Sequence, residues 1–214
     1  MATKRPSPAA LRALAKRDPA LGRVMRTLEP YPGFPGRDHR NGTHWESLAR
    51  AIVFQQLAGA AASTIHGRVC ALTPGTRFPR VPEFLRLDDP ALRGAGLSRG
   101  KLAALRDLAE RIDDGRLVLR SIGRCSDDEV VERLVTVRGI GVWSAQMFLM
   151  FRLGRLDVMP GGDLGVREGV RLLDDLAERP TPKETEARGA VWAPFRSVGA
   201  WFMWRLVEAR RARG

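Results

Sequence analysis

Leu134-Val-Thr-Val-Arg-Gly-Ile-Gly-Val-Trp-Ser-Ala145, followed eighteen residues on by Asp163 within Met159-Pro-Gly-Gly-Asp-Leu-Gly-Val166, decides how this chain reads. The first stretch predicts a helix, a tight Gly-Ile-Gly hairpin and a second helix opening at Val142. The second predicts a lone acid on a Gly/Pro loop. Gly139 and Gly141 tolerate positive φ and let a phosphate approach bare backbone, while the helix start aims unsatisfied N–H groups at it. Arg138, Gly139, Ile140 and Gly141 are therefore candidate contacts to a DNA backbone that do not read its sequence. A Gly-x-Gly hairpin by itself is weak evidence, because many DNA-binding proteins without enzymatic activity carry one.

Composition agrees with such a partner. The 214 residues are 44% hydrophobic, enough for a sizeable core in one domain or two small ones, and the net charge is +12. A basic excess of this size fits a polyanion, of which nucleic acid is the commonest. A GC-rich genome would favour Arg over Lys and raise Ala, Gly and Pro, but it does not by itself produce twelve excess charges. Binding is expected to be salt-sensitive and barely sequence-dependent. Cys70 and Cys125, with only His66 near the first, fall short of the ligands a zinc or iron–sulfur site needs, so no such cofactor is expected. The thiols are expected to stay reduced. The N-terminus has basic residues without an apolar run behind them, and no stretch reaches the roughly 18 apolar residues of a membrane span. A cytoplasmic protein without membrane contact, nucleoid-associated if bacterial, is the expectation.

The pattern along the chain is helical throughout. Residues 1–6 read as a flexible basic tail. Ser7-Pro8 predicts a capped helix start carrying Leu11, Leu14 and Ala15, and a second helix runs from Pro19 to about Leu28. Trp45, Leu48, Ala49, Ile52, Val53 and Leu57 recur at helical spacing, and an Ala-rich helix spans Gly59 to Leu72. Ser98 caps a helix through Ile112, and Ser126-Asp-Asp-Glu129 is a capping box for one running to about Val137. After the hairpin, Arg167 to Glu178 reads as a helix, Pro180-Thr-Pro182 as an interruption, and Ser197 to about Arg210 as the last helix. No segment alternates with period two. The prediction is an all-α chain of about ten helices in two lobes: residues 35–140 form the central one, and 7–34 with 141–214 pool the chain ends. The site is expected in the cleft between the lobes. No heptad or dimer stripe is visible, so a monomer is expected.

Four motifs in order carry a family resemblance over roughly Pro19 to Arg205. They are the hairpin with its downstream Asp163, Trp45-Glu-Ser-Leu-Ala-Arg-Ala-Ile-Val-Phe-Gln-Gln56, Gly96-Leu-Ser-Arg-Gly-Lys-Leu102, and Trp192-Ala-Pro-Phe-Arg-Ser-Val-Gly-Ala-Trp201. Together they resemble the helix-hairpin-helix (HhH-GPD) superfamily of base-excision DNA glycosylases, and within it the 3-methyladenine DNA glycosylase II group. The resemblance implies the two-lobed helical fold, with double-stranded DNA carrying damaged bases as partner. It also implies Asp163 as the carboxylate that stabilises an oxocarbenium-like sugar while an alkylated purine departs: 3-methyladenine, or 7-methylguanine or ethenoadenine. Asp163 also reads as the N-cap of the helix after it, and the two roles are compatible.

Bifunctional members carry a lysine where Trp143 stands, so the resemblance implies a monofunctional enzyme that leaves the abasic site unbroken. Trp143 also shares helical spacing with Met147 and Met150, which would make it a core aromatic. For the base pocket the resemblance points to Trp143, Met147, Trp201 and Trp204, the last two equally readable as core. It points to Gln56 and Leu57 as the segment entering the DNA stack, the alternative being an ordinary helix end. Family hairpins hold K⁺ or Na⁺ through backbone carbonyls, here those of Val135, Val137 and Ile140. The chain departs from many relatives in having Gly162 before the catalytic Asp, Met147 in place of an aromatic, and no room for an N-terminal β domain. Gly162 and Met147 keep a second reading open, a non-catalytic helix-hairpin-helix DNA-binding module with a decayed active site. A lyase for oxidised bases is disfavoured by Trp143 and by the missing four-Cys cluster of the endonuclease III branch.

Overall fold

The computed structural model describes residues 4–34 and 42–212. Among these lie twelve α-helices and no sheet; the extended pairing is an isolated bridge between Lys4 and Phe34. The chain divides into two compact units, Met1–Arg40 with Leu149–Gly214, and Asn41–Phe148. The central unit thus runs to residue 148 rather than 140, because the second hairpin helix packs on the first. The boundary expected at residue 35 lies outside the described residues.

In the unit of the chain ends, α1 (Pro8–Arg17) starts as predicted, with Ser7 Oγ accepting from the Ala10 amide at 3.2 Å. Asp18 caps α2 (Pro19–Thr27) through the Leu21 amide at 3.1 Å. The flexible tail expected over residues 1–6 is corrected from Lys4 onward. Lys4 and Phe34 exchange both backbone hydrogen bonds, Arg5 Nε donates to the Pro32 carbonyl at 2.6 Å, and Pro6 is buried. Backbone pairing beside the buried Phe34 ring holds what composition alone left loose; residues 1–3 lie outside the described part.

The central unit begins with α3 (His44–Phe54), set by a Thr43/Glu46 capping box, and buries Trp45, Leu48, Ala49, Ile52 and Val53 as the spacing predicted. Leu57 does not continue that face: the helix ends at Phe54 and Gln56 takes a left-handed φ of 54°. Next come α4 (Gly59–Cys70) and two short helices not anticipated from sequence, α5 (Val81–Arg86) and α6 (Asp89–Gly94), each with proline in its first turn. The middle of the unit is α7 (Arg99–Asp113), whose Leu102, Leu105, Leu108 and Ala109 are buried. Its Arg106 reaches the Phe84 carbonyl at 3.0 Å and Asp89 at 2.9 Å, covering orphan carbonyls at the end of α5. A 3₁₀ turn (Leu119–Arg124) leads to α8 (Asp127–Val135), which carries the predicted Ser126/Glu129 capping box. It ends at Val135 rather than 137, where tight bonds from Val137 N to the Leu134 carbonyl and from Ile140 N to the Val137 carbonyl, both 3.1 Å, turn the chain into α9 (Val142–Met147).

A π-helical turn (Phe148–Arg152) follows α9 directly. Met150 within it is fully buried, while Trp143 on α9 is 47% exposed. Trp143 is therefore not the core aromatic that its spacing with Met147 and Met150 allowed. In the chain-end unit the next helix is α10 (Leu164–Leu173), not the expected 167–178, because Asp163 caps it and starts it earlier. The Pro180–Pro182 interruption is itself the start of α11 (Pro182–Gly189), with a Thr181/Glu184 capping box. The last helix is α12 (Arg196–Arg211). It packs tightly on α10 because Gly169 has no side chain: a Cβ there would lie 2.6 Å from the Met203 carbonyl oxygen. Among the described residues, no helix is long and apolar enough to cross a membrane.

Candidate active site and hairpin

Gly139 adopts φ 78°, the left-handed conformation the Gly-Ile-Gly reading required, and lies so close to α7 that a Cβ would sit 3.1 Å from Ala104 Cβ. Gly141 is the extended N-cap of α9 and has no side chain to cap it. Arg138, Gly139 and Gly141 are exposed, whereas Ile140 is buried and anchors the turn. Asp107 of α7 fixes the hairpin from below, its Oδ2 accepting from the Arg138 amide at 2.7 Å. Burial alone would raise the Asp107 carboxyl, but this amide and the Arg111 guanidinium hold it below the usual range. Gln56 and Leu57 are exposed, Leu57 to 39%, on the turn that ends α3.

Three backbone carbonyls near the end of α8, those of Val135, Val137 and Ile140, are the donor set proposed for an alkali ion. Hard oxygen donors at the negative end of a helix suit such an ion chemically. The Val137 carbonyl takes one bond from Ile140 N and keeps a second lone pair for a ligand. Among the described residues no group of three or more His, Cys, Asp or Glu side chains could hold a metal. His66 Nδ1 and Cys70 Sγ lie 3.6 Å apart, a pair and not a ligand set.

The acid site belongs to the chain-end unit. Asp163 Oδ1 accepts from the Val166 amide at 2.8 Å and from the Trp204 indole Nε1 at 2.8 Å. The carboxylate is thus an N-cap and an indole-held group at once, and two donors from separate helices fix its rotamer. Trp204 stacks on Phe151, ring centroids 5.7 Å apart and 25° between planes. Phe151 meets Phe34 edge-on at 4.8 Å, Phe34 meets Tyr31 at 5.2 Å, and Tyr31 meets Trp201 at 5.6 Å. Five rings therefore run in a continuous series from Trp204, beside the carboxylate, to Trp201. Trp204 and Trp201 are both half-buried, so neither is simple core filler. Trp143 and Met147 lie on α9, in the central unit, Trp143 exposed and Met147 half-buried.

Several contributors escaped the sequence reading. Gly165 sits where a Cβ would lie 2.7 Å from Trp204 Cδ1 and 3.1 Å from Asp163 Oδ1, so its missing side chain makes room for the indole–carboxylate bond. Its position two residues after Asp163 was the available signal. Phe151 was hidden at the end of the apolar run Met147–Phe151, which marks no π turn. Arg196 and Ser197 of the closing motif prove to hold the approach to the acid loop. Arg196 forks onto Asp157 at 2.8 and 2.9 Å, and Ser197 Oγ accepts from Val158 N and donates to the Arg155 carbonyl, both at 2.9 Å. Gly161 is required, because a Cβ would meet the Pro182 carbonyl oxygen at 2.8 Å. Gly162 faces open space and would accept a side chain.

Residues 49–194 match the family described as HhH-GPD superfamily base excision DNA repair protein. The chain belongs to this family. Among HhH-GPD relatives, DNA-3-methyladenine glycosylase 1 of Schizosaccharomyces pombe is 35% identical over 80% of this chain and 75% of its own length. The solved structure of the S. pombe 3-methyladenine DNA glycosylase in complex with abasic DNA superimposes with a TM-score of 0.82 at 33% identity, covering 92% of this chain and 95% of that one. A DNA-3-methyladenine glycosidase from Bacillus halodurans gives a TM-score of 0.81 at 32% identity, over 96% and 92% of the two chains. The all-α architecture is therefore that of the HhH-GPD glycosylases.

Proposed function

We propose that this protein is a monofunctional DNA glycosylase of base excision repair that removes alkylated purines, 3-methyladenine foremost, from duplex DNA. The observation that carries the reading is Asp163, an acid whose one oxygen is held by both the Val166 amide and the Trp204 indole. Relatives named for 3-methyladenine and covering most of the chain support the substrate class. In the reaction the C1′–N bond breaks and its electron pair leaves with the cationic purine, which departs as a neutral base. Water then bonds to C1′ and loses a proton. Positive charge peaks on the sugar between those events, where a carboxylate already fixed by its hydrogen bonds stabilises it without reorganising. The aromatic faces of Trp204 and its neighbours suit a flat cationic base.

On the DNA side, the Arg138–Gly141 hairpin would grip a phosphate, and Leu57 with Gln56 would enter the stack where the base left. The Val135, Val137 and Ile140 carbonyls would hold K⁺ or Na⁺, which would supply positive charge for binding a phosphate. The protein acts as a cytoplasmic monomer in this reading. The indole of Trp143 offers no amine to form a Schiff base. Incubation with alkylated duplex should therefore release methylated bases and give strand breaks only after alkali, with no covalent adduct on borohydride treatment. Breaks without alkali would sink the monofunctional assignment, and absence of base release with DNA binding retained would return the non-catalytic module.

Gly165→Ala tests the indole–carboxylate bond separately from folding. Alanine gains roughly 1 kcal/mol over glycine in helix propensity, offsetting part of the crowding. Thermal stability should therefore stay near wild type while the displaced Trp204 lowers base release about tenfold, the weight of one charge-assisted hydrogen bond. Full activity in a stably folded variant would show that the Trp204 contact is dispensable.

A further inference from the structure

We infer that Gln55 is a positioning residue whose carboxamide ties the Gln56–Leu57 turn to the Gly139 hairpin, so that wedge and phosphate grip act on DNA as one rigid piece. The inference deepens the proposed function and rests on Leu57 being the wedge. Gln55 follows the last residue of α3, and its Nε2 donates to the Gly139 carbonyl at 3.0 Å and to Ser144 Oγ at 3.4 Å. Both amide protons are thereby used, one on the hairpin and one on the first turn of α9. Gln55 is half-buried, while Gln56 and Leu57 beyond it are exposed.

Neither contact serves the core of the unit. The apolar face of α3 closes at Ile52 and Val53, and the Gly139 carbonyl belongs to an exposed residue with no side chain to bury. The surrounding bonds have the same logic. Lys101 Nζ donates to the Val53 carbonyl at 2.7 Å, fixing the end of α3 to α7. Asp107, further along α7, accepts from the Arg138 amide at 2.7 Å, fixing the hairpin to the same helix. Turn and hairpin are thus each pinned to α7, and the Gln55 bond closes the triangle between them directly. A side chain pushed between stacked bases is pushed back, and a turn whose Gln56 already occupies the left-handed region is poorly suited to resist alone. Coupling it to the backbone that grips phosphate transfers that load to the DNA strand itself.

The test uses the full chain and a duplex carrying 2-aminopurine beside a tetrahydrofuran abasic analogue, with emission on binding reporting local unstacking. Wild type should raise the emission, and Leu57→Ala should remove most of the rise. Gln55→Leu should lower the rise by about fivefold to tenfold, the size expected for one lost hydrogen bond. Gln55→Glu, of equal length but with no proton to donate, should do the same. The double variant Gln55→Leu with Leu57→Ala should be no worse than Leu57→Ala alone, because Gln55 acts through the wedge. Affinity for undamaged duplex should stay within about twofold, since the phosphate contacts remain. The inference is overturned if both Gln55 variants match wild type, if Gln55→Leu cuts the residual signal of Leu57→Ala by the same factor as it cuts wild type, or if the rise does not depend on Leu57. Release of methylated bases, assayed separately, decides the functional reading. Unstacking that needs Gln55 and Leu57 but yields no free base keeps this inference and sinks that reading.

Discussion

Asp163→Asn should lower release of methylated purines by roughly a thousandfold while leaving duplex affinity and folded stability about unchanged. The separation follows from the two tasks of the side chain. As N-cap, Asp163 offers Oδ1 to the Val166 amide, and the same oxygen receives the Trp204 indole proton. Asparagine places a carbonyl oxygen at that position, caps helices as well as aspartate does, and accepts both protons. What it lacks is the negative charge against the developing oxocarbenium ion, and only the chemical step should register the loss. Asp163→Ala removes the cap as well and should cost an additional ~1 kcal/mol of stability. The measurement is base release under single-turnover conditions beside thermal melting and duplex affinity. An Asp163→Asn variant that keeps more than about a tenth of wild-type activity would move the catalytic role elsewhere.

How much of this is legible beforehand depends on whether the signal is local. The Ser7, Ser98 and Ser126 caps, the buried face of α3 and the Gly139 turn are written in a few adjacent residues, and all form as expected. Asp163 is legible because cap chemistry and motif order point to one residue. The tail is not, because Lys4 finds its partner at Phe34, across thirty residues that composition does not connect. The π turn is hidden because the apolar residues Phe148–Phe151 read the same under α or π winding. Phe151, which stacks on Trp204, lies within that turn. Gln55 reads in sequence only as half of a Gln pair. Its role depends on a hairpin eighty-four residues away, a distance at which sequence spacing carries no geometric information.

Asp18→Ala should destabilise the fold by about 2–4 kcal/mol, because it removes the cap of α2 and leaves the buried Trp192 indole N–H without its acceptor. Asp18 is 5% exposed and carries three loads at once. Its Oδ1 caps α2 at Leu21, and its Oδ2 accepts from Trp192 Nε1 at 2.7 Å and from Arg188 at 2.8 Å. Arg188 continues to Asp174 at 2.6 Å, and Trp192 lies so close to Gly199 that a Cβ would meet the indole at 2.2 Å. One aspartate therefore connects α2, α11, the 3₁₀ turn at Trp192 and the start of α12. At roughly 2–4 °C per kcal/mol for a chain of this size, the melting temperature should fall by about 10 °C. Asp18→Asn should cost less, since its one carbonyl oxygen keeps an acceptor for either the Leu21 amide or the Trp192 indole, and Asp174 still faces Arg188.

The pH dependence fixes the electrostatic share. Burial alone would raise the Asp18 carboxyl, but the bonds from Arg188, Trp192 and Leu21 outweigh it and hold it below its ordinary 3.8. A depressed native value means the unfolded chain takes up the proton first. The contribution is complete above pH ~4 and is lost progressively as the pH falls through the native value. The stability gap between wild type and Asp18→Asn, measured by denaturant titration, should accordingly be widest near neutrality and narrow below pH ~4. A gap that stays constant into acid would mean that the oxygen's geometry, and not its charge, holds these elements together.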